Sequence, residues 1–295
     1  MHDGNHQPAF RLVLANEKFL ILCLIQEIRK EMSVQKISLK NVTLMGIDCV
    51  DFSRLQKVAD ISMRGIDFAD VRLLSSIKSN DSRWVEIAPI RSIEAYSEFC
   101  IRNLADHVDT DYVLLIQYDG FVLNPHSWSD DFLKYDYIGA PFHINGEFWF
   151  KKYLVPRELE GRNFVGNGGF SLRSRKFLQT SARLAAQGKF SKFHPEDLVL
   201  CVFDQHLLLN EGIRFAPYVL AKKFSVEGRT HVYKSQFGFH NFKCTDISDW
   251  ISKNPQYEIR QEPISKHKHK RRGLIPLLKK LKRMILRNPG NDSDK

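Results

Sequence analysis

The chain has 295 residues, of which 43% are hydrophobic and 12% aromatic, so it can bury the core of one large globular domain. The formal net charge is +10, and residues 266–287 alone carry ten Lys and Arg with no acid, which leaves a nearly neutral body without a recognised nucleic-acid module. Five scattered cysteines, odd in number, lack the CxxC pairing that would suggest zinc or a redox dithiol, which favours a reduced, cytosolic compartment. The longest apolar run, Phe19 to Ile25, is far shorter than the roughly 20 residues that cross a bilayer.

The first half of the chain alternates helical and strand-like patterns. After a leader of sixteen residues, apolar positions at helical spacing predict a helix over Glu17 to Met32. Further along, the patterns predict strands at Val42–Ile47, Val71–Ser76 and Trp84–Ile87, and helices at Phe52–Met63 and Ser92–His107, the last capped by Ser92.

The second half begins with YVLLI, residues 112–116, a run typical of a strand buried on both faces. Pro141 to Arg162 reads as a long aromatic loop, followed by a strand in NGGFSLR and helices over 175–187 and 196–210. This order predicts an α/β fold with a mixed, mostly parallel sheet flanked by helices. We expect a leader and helix over 1–41, the main domain over 42–250 and a basic tail over 251–295.

The first candidate site follows the buried strand, where QYDGFV places Gln117, Asp119 and Gly120. Ligands of open α/β sheets bind outside the carboxyl ends of strands, and a carboxylate there can hold a hard cation that bridges two phosphates. Asp119 is therefore the first candidate for a metal ligand. The alternative is that Asp-Gly is only a turn, because that dipeptide is a common turn signal.

The second candidate site is VGNGGFSLRSRKF, in which Gly168 and Gly169 precede a strand and follow Asn167. Glycine lets a ligand approach the backbone closely and exposes N–H groups to it. The spacing fits neither a Walker loop nor a dinucleotide fingerprint. A glycine bulge that merely leads into the strand is the alternative.

The third candidate site is HPEDLVLC, which places Glu196 and Asp197 in the first turn of a predicted helix. A carboxylate at this position can deprotonate an acceptor hydroxyl. The alternative is that the helix dipole alone favours acids there.

The fourth candidate is His240, which lies in the aromatic segment QFGFHNF. A lone histidine is more often packed or exposed than bound to a metal, so its role depends on proximity to Asp119.

Four motifs in this order, QYDGFVLNPHSW, YDYIGAPF, GNGGFSLRS and PEDLVLC, resemble a family of bacterial and fungal proteins catalogued as a domain of unknown function and regarded as glycosyltransferase-like. The resemblance spans roughly residues 42–242. It implies a fold of the GT-A superfamily, whose members use a DxD motif at a strand end, a glycine-rich segment, an acidic pair and often a later histidine.

The resemblance assigns roles residue by residue. It implies Asp119 and His240 as ligands of Mn²⁺ or Mg²⁺, Gly168 and Gly169 at the donor sugar, and Asp197, assisted by Glu196, as the base. The first position of DxD is Gln117, a neutral residue, which is a departure from the pattern. The first βαβ portion would supply the nucleotide pocket, with Ile47 and Asp48 as candidates to touch base or ribose.

The function implied is a cytoplasmic glycosyltransferase that moves a sugar from a UDP or GDP donor to a glycan or lipid-linked acceptor, with inversion, in cell-surface polysaccharide biosynthesis. The basic segment 266–287 alternates apolar and basic residues, as in segments that lie on an anionic membrane. A disordered solubilising tail and a nonspecific nucleic-acid contact are the alternatives, together about as well supported as the membrane contact. Two other functions are a sugar nucleotidyltransferase, which normally has an early glycine-rich basic loop, and a noncatalytic carbohydrate-binding protein.

Overall fold

A computed structural model of the chain describes residues 36–228 and 231–264. Its strands are β1 (Ile37–Ile47), β2 (Ile66–Ser75), β3 (Trp84–Glu86), β4 (Tyr112–Ile116), β5 (Tyr137–Gly139), β6 (Pro141–His143), β7 (Asn163–Val165), β8 (Ser171–Ser174), β9 (Ser225–Val226), β10 (His231–Val232), β11 (Gly238–Phe239) and β12 (Thr245–Asp246). Its α-helices are α1 (Phe52–Ser62), α2 (Ile93–Arg102), α3 (Glu147–Lys152), α4 (Arg175–Ala186), α5 (Glu196–Leu198), α6 (Gln205–Asn210), α7 (Tyr218–Phe224) and α8 (Ser248–Lys253).

The central sheet has six strands in the order β3-β2-β1-β4-β8-β5. The first four are mutually parallel, and β8 is antiparallel to both of its neighbours, so β5 again runs parallel to β4. The predicted α/β fold with a mixed, mostly parallel sheet flanked by helices is confirmed.

The sheet is covered on both faces. Neighbouring residues of a strand point to opposite faces, so they belong to different core clusters. Leu114 of β4 belongs to the cluster under α1, whereas Val113 and Leu115 belong to the cluster under α2 and α4. The run YVLLI is apolar throughout for this reason. The first cluster also contains late aromatic residues, including Phe239 and Trp250, so residues 239–250 pack on the α1 side.

Side-chain caps fix where the flanking helices start. Asp51 accepts from Ser53 N at 2.9 Å before α1, Ser92 accepts from Ala95 N at 3.1 Å before α2, and Ser174 accepts from Phe177 N at 3.0 Å before α4. The predicted cap at Ser92 is therefore confirmed.

Two predicted elements differ from the structure. The segment predicted as a loop over Pro141 to Arg162 contains β6, α3 and a 3-10 turn at Arg157–Leu159, because its aromatic residues form a small core with Ile144 and Phe150 at the centre. The helix predicted over 196–210 is divided into α5, a π-helical segment at Val199–Phe203, and α6.

Several predicted features lie outside the described residues or are not tested by them. The predicted helix at 17–32 and the basic segment 266–287 fall outside the described ranges. Packing continues past residue 250, because Tyr257 and Ile259 contact the core cluster on the α1 side. Within residues 36–228 and 231–264, no helix has the length and apolar character to cross a membrane.

Candidate functional site

The turn after β4 holds Asp119 at its tip. Gln117 N donates to Gly120 O at 2.8 Å and Gly120 N donates to Gln117 O at 3.0 Å, so the four residues form a closed turn. Asn241 N donates to the Asp119 carbonyl at 2.7 Å, which ties this turn to the late aromatic segment. Asp-Gly is thus a turn, and the turn also presents a carboxylate at the carboxyl edge of the sheet.

His240 lies directly beside this turn. Its Nε2 is 3.0 Å from Gln117 Oε1 and 3.7 Å from Asp119 Oδ1. The side chains of His240 and Asp119 are each 16% exposed, so both are mostly buried yet reachable from solvent. The structure therefore brings the first and fourth candidate sites together, as the sequence predicted.

The glycine segment before β8 closes against the same histidine. A Cβ on Gly169 would lie 2.0 Å from His240 Nε2, and one on Gly120 would lie 2.7 Å from His240 Cδ2. The imidazole is consequently packed against the backbone of two glycines, Gly120 and Gly169, which have no side chains. Neighbouring Asn167 is buried in the left-handed region at φ 67°, and its Oδ1 has no hydrogen bond within the described part of the chain.

Glu196 is held in a buried ion pair. Arg173, which is 0% exposed, donates from Nη2 to Glu196 Oε1 at 2.9 Å and to the Gly168 carbonyl at 3.2 Å. A Cβ on Gly168 would lie 1.6 Å from Glu196 Oε1, so only glycine permits this contact. Glu196 thereby connects the second and third candidate sites, and its carboxylate is held in a buried ion pair.

Asp197, the neighbouring acid, keeps some exposure to solvent. Leu198 N donates to its Oδ1 at 2.8 Å. Burial raises the pKa of Asp197 to about 7, and the carboxylates of Glu196 and Glu227 add to the rise. A carboxyl that titrates near neutral pH is well suited to general base catalysis at that pH.

The electrostatics of the site are dominated by acids around one imidazole. Burial disfavours the charged form of His240, but the carboxylates of Glu227, Asp119 and Asp197 outweigh it and raise the pKa of His240 to about 9. Burial raises the pKa of Asp119, and the nearby His240 opposes this rise. Such an excess of carboxylates favours any positive charge brought to the site.

Three charged residues of this site are not among the sequence-predicted ones: Arg173, Glu227 and Glu262. Glu227 Oε1 lies 3.4 Å from His240 Nδ1 and 3.2 Å from Asn241 Nδ2, and Glu262 acts on Asp119 electrostatically. An arginine inside SLRS, a strand with no other charged residue, is a signal that could have identified Arg173. Glu227 and Glu262 carry no comparable signal.

Ile47 and Asp48 occupy less accessible positions. Ile47 is buried in the core cluster between the sheet and α2. The Asp48 carboxylate accepts from Val50 N, Asp51 N and the Arg54 guanidinium, so it orders the start of α1 and holds Arg54. Arg54 in turn stacks on Tyr118, with its Cζ 3.9 Å from the ring centroid.

An open cleft adjoins this stack. It has a volume of about 390 Å³ and is lined by residues that include Arg54, Lys57, Tyr118, Phe242 and Arg260. Tyr118 immediately precedes Asp119 in the chain. The cleft thus combines aromatic walls with three cationic side chains next to the candidate metal ligand.

The side chains at this site fit a cation only if a bound substrate supplies further ligands to it. Within residues 36–228 and 231–264, no group of three or more His, Cys, Asp or Glu is arranged to hold a metal ion. Asp119 Oδ1 and His240 Nε2 are two possible ligand atoms, 3.7 Å apart, and Gln117 Oε1 is an uncharged third. Magnesium is commonly bound in this way, by one or two carboxylates plus substrate phosphates.

Gly169→Ala is expected to disrupt the candidate metal site. The added methyl must displace His240 and Gln117, whose Oε1 lies 2.6 Å from the Cβ position. We expect Mn²⁺ binding in the presence of UDP, followed by electron paramagnetic resonance, to weaken at least about tenfold, the loss of one charged contact. Gly166→Ala is the matched control, because the three atoms nearest to its added methyl all belong to the Phe142 ring and none to His240 or Gln117. Unchanged Mn²⁺ affinity in Gly169→Ala would contradict the arrangement.

Comparison with known sequences identifies a family. The sequence model of a family described as protein of unknown function (DUF5672) matches residues 81–240. The resemblance to a family of unknown function is therefore confirmed over those residues. No curated protein matches the chain.

Comparison with solved structures gives distant likenesses. The bifunctional IspDF from Campylobacter jejuni is 8% identical with a TM-score of 0.37, over 60% of this chain and 48% of that one. A mannosyltransferase from Pyrobaculum calidifontis, in complex with GDP-Man and Mn²⁺, is 12% identical with a TM-score of 0.35, over 70% and 64%. A glycosyltransferase involved in glycosylation of the major capsid of PBCV-1 is 12% identical with a TM-score of 0.38, over 74% and 98%. The chain thus spans about half of the first structure and less than two thirds of the second.

Proposed function

The chain belongs to the DUF5672 family of proteins of unknown function, and we propose that it is a glycosyltransferase that moves a sugar from a nucleotide diphosphate donor to a hydroxyl acceptor. The convergence of Asp119, His240 and Asp197 on one partly exposed site supports the proposal. Asp119 and His240 are 3.7 Å apart, and the Asp197 carboxylate is close enough to raise the pKa of that histidine.

Asp119 and His240 would hold Mg²⁺ or Mn²⁺ against the donor diphosphate. Gln117 Oε1, 3.0 Å from His240 Nε2, supplies a further oxygen where the DxD pattern has an acid. When bound, the cation neutralises negative charge on the phosphates and on the leaving group. The excess of carboxylates in the site favours such a cation and disfavours a bare diphosphate.

Asp197 would act as the general base. Its carboxylate accepts the proton of the acceptor hydroxyl while the hydroxyl oxygen forms a bond to the anomeric carbon of the donor sugar. The bond from that carbon to the diphosphate oxygen breaks, and the nucleoside diphosphate leaves with the electron pair. Attack opposite the leaving group inverts the anomeric configuration, and burial raises the pKa of Asp197, which makes its carboxylate a stronger base.

The nucleoside would lie in the cleft beside Tyr118. The aromatic side chains that line this cleft suit a nucleobase, and its cationic side chains suit a charged ribose phosphate. Asp48 contributes indirectly, since its carboxylate holds the Arg54 guanidinium against Tyr118. Gly168 and Gly169 would face the donor sugar, where their lack of side chains permits close approach.

Donor titration by calorimetry tests the proposal. We expect a UDP or GDP sugar to bind with Mn²⁺ and more weakly without it, and Asp119→Asn to raise the donor Kd by at least about tenfold, the effect of losing one charged ligand. Asp131→Asn is the control, because Asp131 is a surface acid whose side chain pairs with Lys134.

The outcomes separate the candidate functions. Binding of a nucleoside triphosphate and a sugar phosphate in place of a nucleotide sugar would indicate a nucleotidyltransferase. Binding of a free glycan without any nucleotide would indicate a carbohydrate-binding protein, and either result would contradict the proposed transfer.

The acceptor and the location follow only from the sequence. A glycan or lipid-linked acceptor at the inner face of a membrane agrees with the apolar and basic residues of 266–287, each basic residue near an anionic surface contributing about 1 kcal/mol. A cytoplasmic location, peripheral membrane contact and a role in polysaccharide synthesis remain predictions.

A further inference from the structure

Residues 141–164 bring four aromatic side chains together at the surface of the domain. These partly buried residues form an aromatic patch: Phe142, Trp149, Tyr153 and Phe164. The Phe142 and Trp149 rings are stacked, with centroids 5.1 Å apart and planes inclined by 18°, and the Tyr153 ring lies 5.8 Å from that of Trp149. Rings that remain partly exposed gain free energy when a ligand covers them.

The backbone after α3 fixes the segment that carries Trp149 and Tyr153. Leu154 adopts the left-handed region at φ 56°, although it is bulky and 74% exposed. Beyond this turn Val155 N donates to the Trp149 carbonyl at 3.2 Å, and the Val155 side chain enters the small core around Ile144 and Phe150. A non-glycine residue in the left-handed region costs free energy, and such strain is concentrated in functional segments.

Exposed polar side chains border the aromatic patch. His143 and Asn163 lie on the paired strands β6 and β7, beside two patch residues in the chain, and His143 Nδ1 is 2.8 Å from Asn163 Oδ1. Lys152 Nζ lies 4.8 Å from the centroid of the Tyr153 ring. A flat apolar surface with hydrogen-bonding groups at its border suits a sugar ring, which has C–H bonds on its faces and hydroxyls at its edge.

The aromatic patch adjoins the proposed base. Leu198, which follows Asp197 in the chain, is 3% exposed and belongs to the small core against which the patch packs. A Cβ on Gly166 would lie 2.4 Å from Phe142 Cε1, so the patch also lies against the start of the glycine segment. A molecule that presents a hydroxyl to Asp197 therefore has the patch beside it.

We propose that the aromatic patch is the acceptor subsite, at which a sugar ring of a glycan stacks on Trp149 and Tyr153. The inference rests on the proposed function, because the acceptor is defined by the hydroxyl that it presents to Asp197. It assigns that hydroxyl to a carbohydrate rather than to a protein side chain. The candidate donor site at Asp119 does not include the patch, so loss of the patch should leave donor binding unchanged.

The test compares two tyrosines with the same local chemistry. Lys152 Nζ lies 4.8 Å from the Tyr153 ring centroid, and Lys222 Nζ lies 4.8 Å from the Tyr218 ring centroid at the start of α7. Both tyrosines are partly buried. Tyr153→Leu therefore removes a ring of the patch, whereas Tyr218→Leu removes an equivalent ring that is not part of it.

Glycan binding is measured on an array of diverse glycans with the labelled full chain, Mn²⁺ and either UDP or GDP. We expect the unaltered chain to bind at least one glycan, and Trp149→Leu and Tyr153→Leu each to weaken that binding about fivefold or more, the effect of losing one aromatic contact. Tyr218→Leu should change it less than about twofold. Calorimetry should give the same Kd for a nucleotide sugar with Mn²⁺ in all three variants, and thermal unfolding checks their folding. Should Trp149→Leu fold poorly, Tyr153→Leu decides the result.

Unchanged glycan binding in the patch variants, or an equal loss in Tyr218→Leu, would overturn the inference. If those variants instead lost only sedimentation with phosphatidylglycerol vesicles, the patch would be a membrane contact, which also overturns it. An unaltered chain that binds a nucleotide sugar but no glycan on the array would overturn the inference and leave the proposed function standing. A chain that binds glycans but no nucleotide sugar would overturn the proposed function and the acceptor role with it.

Discussion

Replacing Asp197 with Asn is expected to lower kcat by about 10²–10⁴-fold while the donor Kd changes less than about twofold. The amide retains an oxygen that can accept from Leu198 N but cannot take a proton from an acceptor hydroxyl. Turnover is measured by release of nucleoside diphosphate, and donor binding by calorimetry. Asp204→Asn is the matched control, because burial also raises the pKa of Asp204, which lies after the π-helical segment.

The unaltered enzyme should show the matching pH dependence. Because burial raises the pKa of Asp197 to about 7, the base becomes protonated and the rate falls as the pH drops through that value. Full turnover in Asp197→Asn, or an unchanged rate down to pH 5 in the unaltered enzyme, would remove Asp197 from the proposed mechanism.

Arg173→Met is expected to cause the largest loss of stability. The change leaves the Glu196 carboxylate buried without its partner, which typically costs about 3–5 kcal/mol, or roughly 10 °C in Tm for a domain of this size. It also removes the hydrogen bond to the Gly168 carbonyl. Scanning calorimetry measures the effect directly.

A double variant separates the pair from its surroundings. Arg173→Met with Glu196→Gln removes both charges and should recover more than half of the lost Tm, since a neutral amide is cheaper to bury. Arg183→Met is the matched control, because the Arg183–Glu211 pair has the same chemistry but is exposed, and its loss should cost under about 1 kcal/mol. Equal losses in Arg173→Met and Arg183→Met, or a double variant no more stable than Arg173→Met, would contradict the buried pair.

Local patterns were sufficient to predict the sheet and much of the site. The continuous apolar run of β4 indicated burial on both faces, and the acid that follows it could be placed at the carboxyl edge of the sheet. Glycines before a strand and acids after Pro195 were recognisable from their residue types and positions, although a glycine bulge and the helix dipole offered structural explanations for them. The structure places Asp119 and Gly169 beside His240, and the charge of Asp197 acts on that imidazole.

Contacts between distant parts of the chain could not be predicted in the same way. The Arg173–Glu196 pair joins β8 to α5, and the Glu227–His240 contact depends on how the segment after β9 turns back toward β11. Nothing in the periodicity of either segment specifies its partner. The aromatic residues of 141–162 were visible, but their mutual packing into a small core depends on tertiary contacts.

The reversed direction of β8 has a geometric consequence for the site. Leu115 near the end of β4 pairs with Ser171 at the start of β8, so residues that precede β8 meet residues that follow β4. Four residues of strand span about 14 Å, so a parallel β8 would have carried Gly168 and Gly169 to the opposite rim, far from the imidazole. Because β8 is antiparallel to β4, the segment that enters β8 and the segment that leaves β4 lie at the same edge of the sheet.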